Sequence, residues 1–306
     1  MYDIEAIYEA ESVSNAIELL QKYPYAVIIA GGNDVLIKIR KGKLTGSTLV
    51  SLQKLDELRG ISIDHNNAIR IGSLTTFSHI AKNPIIQKYI PTLAEAAETI
   101  GSPQIRNIGT IGGSVCNSGC DVCNVCNICK SVSFSDCAPN LIAYSAIVEY
   151  CGPHGKRLVP IKEHYVSAGK TALETGEILQ AIIIPKESYE NYFGNYIKYS
   201  MRAVMDLAVL SCSANVSLSP DRKAIEKLRL AYGAANPVPI RALNAEKIAK
   251  GKNINTETIS LIAKTTLNDI KPRSTFLATK DFRIHLVEEL AKRVVTKSLK
   301  RAGVIL

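Results

Sequence analysis

At 306 residues, with 46% hydrophobic and 21% charged side chains, the chain has the composition of a globular protein long enough for two or three packed units. Its formal charge of +9 comes from lysines and arginines scattered without aromatic interleaving, which argues against a nucleic-acid-binding surface. No apolar run approaches the roughly 20 residues that span a bilayer, and the opening MYDIEAIYEAES lacks the basic and apolar regions of a secretion signal, so a cytoplasmic location is expected.

The N-terminal stretch reads as strand, helix, strand. Ala16, Leu19, Leu20 and Tyr23 recur at the spacing of one buried helical face, with Ser14 ahead of them as the expected N-cap. The run Ala26 to Ile29 reads as a strand covered on both faces, and it ends in the glycine turn Ala30-Gly31-Gly32-Asn33-Asp34. An alternating strand follows at Ala68 to Gly72, then helices near Thr76 to Ala81 and Leu93 to Ile100. A second glycine-rich turn closes Arg106 to Gly113. Beyond the cysteine-rich stretch, Leu141 to Tyr150 and Ile178 to Ile184 read as strands. From about Tyr192 the pattern changes to long antiparallel strands, Tyr196 to Ser200, Leu207 to Val216 and Leu228 to Gly233, with helix up to Leu299.

Each glycine pair, taken singly, reads first as a tight turn. Two of them, each after an apolar strand, could also present bare N–H groups to a diphosphate, although neither is GxGxxG. The five histidines show no metal spacing, and no GxSxG or Walker motif occurs, which leaves hydrolase and phosphoryl-transfer readings without support.

Of eight cysteines, five lie between Cys116 and Cys129. In a reducing compartment such crowding points to metal or redox chemistry rather than disulfides. The core of the group, Cys120, Cys123, Cys126 and Cys129, is C-x2-C-x2-C-x2-C, close to the run that ligates ferredoxin clusters. A four-thiolate zinc site is the competing reading, although zinc more often uses two separated knuckles. Cys151 and Cys212 read as buried packing thiols, and Cys116 and Cys137, which flank the run, read first as packing residues, although either could replace one ligand.

Together these segments resemble the FAD-binding subunits of the xanthine dehydrogenase and carbon monoxide dehydrogenase family of molybdenum hydroxylases. Ala30 to Leu36 is similar to that family's AGGTDLL turn, Ile71 to Thr76 to its IGALTT, and Ser102 to Gly113 to its second signature. Thr175 to Leu179, Arg202 with Asp206, and Pro237 to Ala242 match in the same order, so the likeness runs over nearly the whole chain.

The resemblance implies an α+β fold: a two-part FAD-binding domain of the vanillyl-alcohol-oxidase type over 1–190, with subdomains at about 1–58 and 59–190, and a C-terminal domain of antiparallel sheet plus helices over 191–306. Residues Ile29, Ala30, Gly31, Gly32, Asn33, Asp34 and Val35, with Thr110, Ile111, Gly112, Gly113 and Ser114, would then wrap the FAD diphosphate and ribityl chain. Asp136 would bind the adenosine end, Ile100 and Leu179 would line apolar surfaces, and Lys198 would lie near the flavin. The cysteine run falls in an insert over about 116–137. It is reminiscent of the [4Fe-4S]-bearing flavin subunits of 4-hydroxybenzoyl-CoA reductase and periplasmic aldehyde oxidase. Expected partners are a molybdenum-cofactor large subunit, a [2Fe-2S] small subunit, and NAD, ferredoxin or another electron acceptor. A self-contained flavin oxidoreductase and a four-cysteine zinc-binding regulatory module are the alternatives.

Overall fold

A computed structural model describes residues 2–117 and 135–305. The first strand, β1 (Ile4–Glu9), alternates half-buried and exposed residues. The helix Val13–Lys22 then buries Val13, Ala16, Ile17 and Leu20. Its N-cap is Ser12, whose Oγ accepts from the Asn15 amide at 3.0 Å. The expected cap, Ser14, lies inside the first turn and is exposed, because the apolar face already starts at Val13.

Strands β2 (Val27–Ile29) and β3 (Ser47–Ser51) complete a parallel sheet in the order β1-β3-β2. β2 is therefore an edge, and its three residues are half-buried rather than covered on both faces. Its open flank is the wall of a cavity, with Val27 and Ile28 lining it.

A second sheet takes strands from widely separated stretches. Strands β4 (Ile61–Ile63), β5 (Ile69–Gly72), β6 (Ile147–Gly152) and β7 (Gly155–Pro160) join a later strand, Ile178–Ile184. A small hairpin, β8 (Tyr165–Ser167) with β9 (Lys170–Thr171), comes between, so the later strand is β10. The order is β4-β5-β10-β6-β7, antiparallel throughout, and β10 sits at the centre. The stretch from Leu141 to Tyr150 is not one strand. Ala138–Ala143 is a helix with all six residues buried, Ser145 turns the chain at φ +48°, and β6 starts at Ile147. The second glycine segment is also helical. Ser102 caps Pro103–Ile108, and Thr110 caps Ile111–Cys116, which places Gly112 and Gly113 in a first helical turn.

The C-terminal part is a four-stranded antiparallel sheet of β11 (Phe193–Tyr199), β12 (Leu210–Leu218), β13 (Ile225–Gly233) and β14 (Ile240–Arg241), in that order. Cys212, Ala214 and Val216 turn one face of β12 into an aliphatic core shared with Val287, Leu290 and Val294 of the long helix Lys280–Arg301. The opposite face is polar. Ser213 Oγ donates to Asn140 Oδ1 at 2.8 Å, stitching this sheet to the helix Ala138–Ala143. Among the described residues no helix is long and apolar enough to cross a membrane.

Candidate functional site: a cavity between the two glycine segments

A cavity of about 540 Å³ opens where the edge of the parallel sheet meets the start of β10 and the helix Ile111–Cys116. The two glycine segments face each other across its rim. A Cβ on Gly31 would stand 2.2 Å from the Ile108 carbonyl oxygen and 3.1 Å from Gly109 Cα, so the backbones are packed as closely as glycine allows. Gly32 follows with φ +74°, in the left-handed region. The second segment is laced to the strand end at Ser73 to Phe77: Gly112 N donates to Ser73 O at 2.8 Å, Ile111 N to Thr75 O at 3.0 Å, and Phe77 N to Gly109 O at 3.2 Å. A Cβ on Gly112 would meet Ser73 at 2.7 Å, whereas Gly113 is exposed on the cavity side and would meet only Thr110 Oγ1. Ser73 Oγ and Asn117 Oδ1 are buried in the cavity wall with no hydrogen-bond partner among the described residues.

One charged station closes the wall. Lys198, from β11, reaches out of the C-terminal sheet to Asp136, with Nζ 2.8 Å from Oδ2, and also donates to the Thr99 carbonyl at 3.1 Å. Tyr196 OH donates to the other carboxylate oxygen at 3.1 Å. Both ends of the ion pair are under a tenth exposed. Burial pushes the Asp136 carboxyl up, and the Lys198 ammonium and the Tyr196 hydroxyl oppose it. Beside them Ser114 and Ser135 share a hydrogen bond of 2.8 Å, joining the two sides of the stretch that carries the cysteine run.

The family model described as the FAD-binding domain in molybdopterin dehydrogenase matches residues 2–187, and that of the CO dehydrogenase flavoprotein C-terminal domain matches residues 195–298. The chain belongs to this family of FAD-binding molybdopterin dehydrogenase subunits. It is similar to the xanthine dehydrogenase FAD-binding subunit of Escherichia coli O157:H7, at 37% identity over 303 residues and 99% of each chain. The carbon monoxide dehydrogenase medium chain of Hydrogenophaga pseudoflava is 25% identical over 294 residues, 96% of each. The solved structure of carbon monoxide dehydrogenase from the same organism, lacking the Mo-pyranopterin moiety, superimposes with a TM-score of 0.88 at 25% identity, covering 98% of this chain and 99% of that one.

In this FAD-binding subunit the cavity suits the cofactor. Bare glycine backbone, buried oxygens lacking partners and an apolar flank of Val27, Leu52, Leu74 and Ile178 match a ligand that is polar along its diphosphate and flat and apolar at its ring. Of the residues expected to bind it, Ala30, Gly31, Gly32, Asn33, Asp34 and Val35 line the cavity, as do Thr110, Gly112, Gly113 and Ser114, and so do Ile100, Asp136 and Leu179. Ile29 and Ile111 do not: Ile29 pairs with Ser51 in the parallel sheet, and Ile111 is fully buried in the main core. Lys198 does not itself line the cavity but is paired with Asp136, which does, so two residues expected at different parts of the cofactor stand at one place. Lys38, Lys41 and Phe77 line the cavity without having been singled out in the sequence. Asp34, Lys38 and Lys41 recur at i, i+4, i+7, a spacing that marks one helical face. Cys120, Cys123, Cys126 and Cys129 lie outside the described residues. Among the described residues no three His, Cys, Asp or Glu side chains gather as a metal site.

Behind the helix Ile111–Cys116 lies His164, fully buried. Burial pushes its imidazole down to about 4 from the ordinary 6.5, and the hydrogen bond to the Val115 carbonyl opposes this only in part. The folded state therefore favours the neutral ring. The stabilisation is complete above pH 6.5 and is lost as the pH falls through the window from 6.5 to about 4. Denaturant unfolding across that window is expected to lose up to about 3 kcal/mol to this group. His164→Gln should flatten that part of the slope, and an unchanged slope would rule this source out.

Proposed function

We propose that this chain is the FAD-containing electron-transfer subunit of a cytoplasmic molybdenum hydroxylase-type oxidoreductase. It would pass electrons between a [2Fe-2S] and molybdenum partner and an external acceptor or donor such as NAD or ferredoxin. The observation that supports this most is the meeting of both glycine segments on one cavity, within a chain matched along its length by the family. In this reading the chain divides near residue 190, and the FAD-binding part has lobes at about 1–58 and 59–190.

Bound FAD supplies the exchange between electron-pair and single-electron chemistry. The protein's part is to bind, orient and shield. Residues 30–35, Thr110 and 112–114 would bring glycine backbone and small hydroxyls to the diphosphate and ribityl chain, and a side chain at Gly31 or Gly112 would collide with the neighbouring backbone. Ile100 and Leu179 present apolar surface and exclude water from their side of the cavity. Asp136, held by Lys198 and Tyr196, offers a carboxylate whose direction is fixed before the cofactor arrives. Cys120, Cys123, Cys126 and Cys129 are proposed as the ligands of an additional [4Fe-4S] cluster, a further relay station for electrons.

Anaerobic purification from the native host tests the whole reading. Flavin absorption at about 450 nm is expected, together with a broad cluster shoulder and two further subunits carrying molybdenum and [2Fe-2S]. A colourless sample containing only zinc would overturn both cofactors. A yellow chain that purifies alone and turns over an organic substrate by itself would overturn the subunit assignment.

A further inference from the structure

His164 is buried, and neither the cofactor reading nor the cysteine run uses it. Its Nε2 lies 3.0 Å from the Val115 carbonyl oxygen, and its Nδ1 lies 2.5 Å from the Tyr150 hydroxyl. A carbonyl can only accept, so Nε2 carries the hydrogen and Nδ1 accepts from Tyr150. The neighbours thereby select a single tautomer. Val115 sits in the last turn of the helix Ile111–Cys116, where carbonyls lack helical partners, and His164 supplies the missing donor.

The linkage continues on the other side. The Arg157 guanidinium covers the Tyr150 ring at 4.6 Å and grips Glu177 through two hydrogen bonds of 2.6 and 2.7 Å. Glu177 immediately precedes Ile178 and Leu179, which line the cavity, while Gly113 and Ser114 line it from the helix that His164 holds. Two cavity walls are thus tied by one continuous set of contacts running Val115, His164, Tyr150, Arg157, Glu177. Tyr165 closes the group edge-on to the imidazole, at 4.7 Å between ring centres.

We propose that His164 is a positioning residue for the cofactor cavity: it clamps the Val115 carbonyl and so fixes the helix Ile111–Cys116 against the wall formed by β10. The inference rests on the reading of this cavity as the FAD site. Removing the clamp frees the helix end that bears Gly113 and Ser114, and it leaves a carbonyl and a phenol buried without partners. The cofactor should then bind more weakly even where the protein still folds.

The test is FAD titration of the full-length apoprotein by flavin fluorescence, with folding of each variant verified by circular dichroism. His164→Leu is expected to weaken FAD binding about tenfold. His164→Gln, whose amide can donate to Val115 and accept from Tyr150, should restore the affinity to within about twofold of the original protein. If His164→Leu does not fold, Tyr150→Phe takes its place, with an expected loss of about threefold. Equal FAD affinity in His164→Leu, or in Tyr150→Phe when that variant stands in, and in the original protein would overturn the inference alone. So would a His164→Gln variant as weak as His164→Leu. Failure of the original chain to take up FAD would overturn the cavity assignment and the inference with it.

Discussion

Gly31→Ala is expected to strip the protein of most of its flavin. The added methyl would sit 2.2 Å from the Ile108 carbonyl oxygen and 2.9 Å from its carbon, and both are main-chain atoms that cannot rotate away. The turn at residues 30–34 and the segment at 108–112 must separate, and both are cavity walls. Overpacking of this kind costs typically about 1–3 kcal/mol. Because the displaced atoms border the cavity proposed for the cofactor, FAD affinity should fall by about two orders of magnitude, equivalent to roughly 3 kcal/mol. Gly46→Ala is the control. Gly46, unlike Gly31, has a left-handed φ, +66°, and nothing stands within 4 Å of its added carbon. That variant should lose about 1–2 kcal/mol of stability from backbone strain and none of its affinity. Flavin content after purification, followed by titration, separates the two cases. A Gly31→Ala protein with unaltered affinity would show that the close approach of the two segments does not govern binding.

Lys198→Met should produce the largest loss of stability among substitutions at the cavity, about 3–5 kcal/mol, because it strands the Asp136 carboxylate in a buried site. Among the described residues, only the Tyr196 hydroxyl would remain as its side-chain partner. Protonation limits the penalty. Without the ammonium, the Asp136 carboxyl rises further above its ordinary 3.8, and the folded protein takes up a proton that the unfolded chain does not hold. The loss should accordingly be small in acid and grow as the pH rises through the raised value. Urea unfolding at several pH values reads this directly. The double variant Asp136→Asn/Lys198→Met should recover much of the loss, since no charge is then left unpaired. Simple additivity of the two single losses would contradict the ion-pair account.

The residues that carry regular backbone geometry were readable in the sequence, and those defined by contact were not. The strands around Ile71, Ile182 and Leu210 and the turn at Gly31 and Gly32 stand where periodicity and glycine placed them. Ala138–Ala143 escaped because every one of its residues is buried. A helix covered on all sides has no polar stripe, and its apolar run looks like a strand. Pro139, in the first turn, was the available signal. Ser12 and Ser14 differ by two positions and are both good caps, so only the burial of Val13 decides between them. The contact of Lys198 with Asp136 spans 62 residues, and no local pattern encodes it. Lys38 and Lys41 reach the cavity because an edge strand leaves that flank open, a fact of sheet order rather than of helix composition.

The central place of β10 bears on how the protein comes into being. β5 and β6 do not pair with each other, and both pair with a strand that ends at Ile184. A chain leaving the ribosome N-terminus first carries two unsatisfied strand edges until that stretch is made, and Lys198 follows later still. Such distant pairing is slow to form and exposes strand edges meanwhile. Loading of the flavin therefore belongs after residues 178–198 have been made, and a nascent chain halted before residue 178 would lack β10, with Ile178 and Leu179 of the cavity wall.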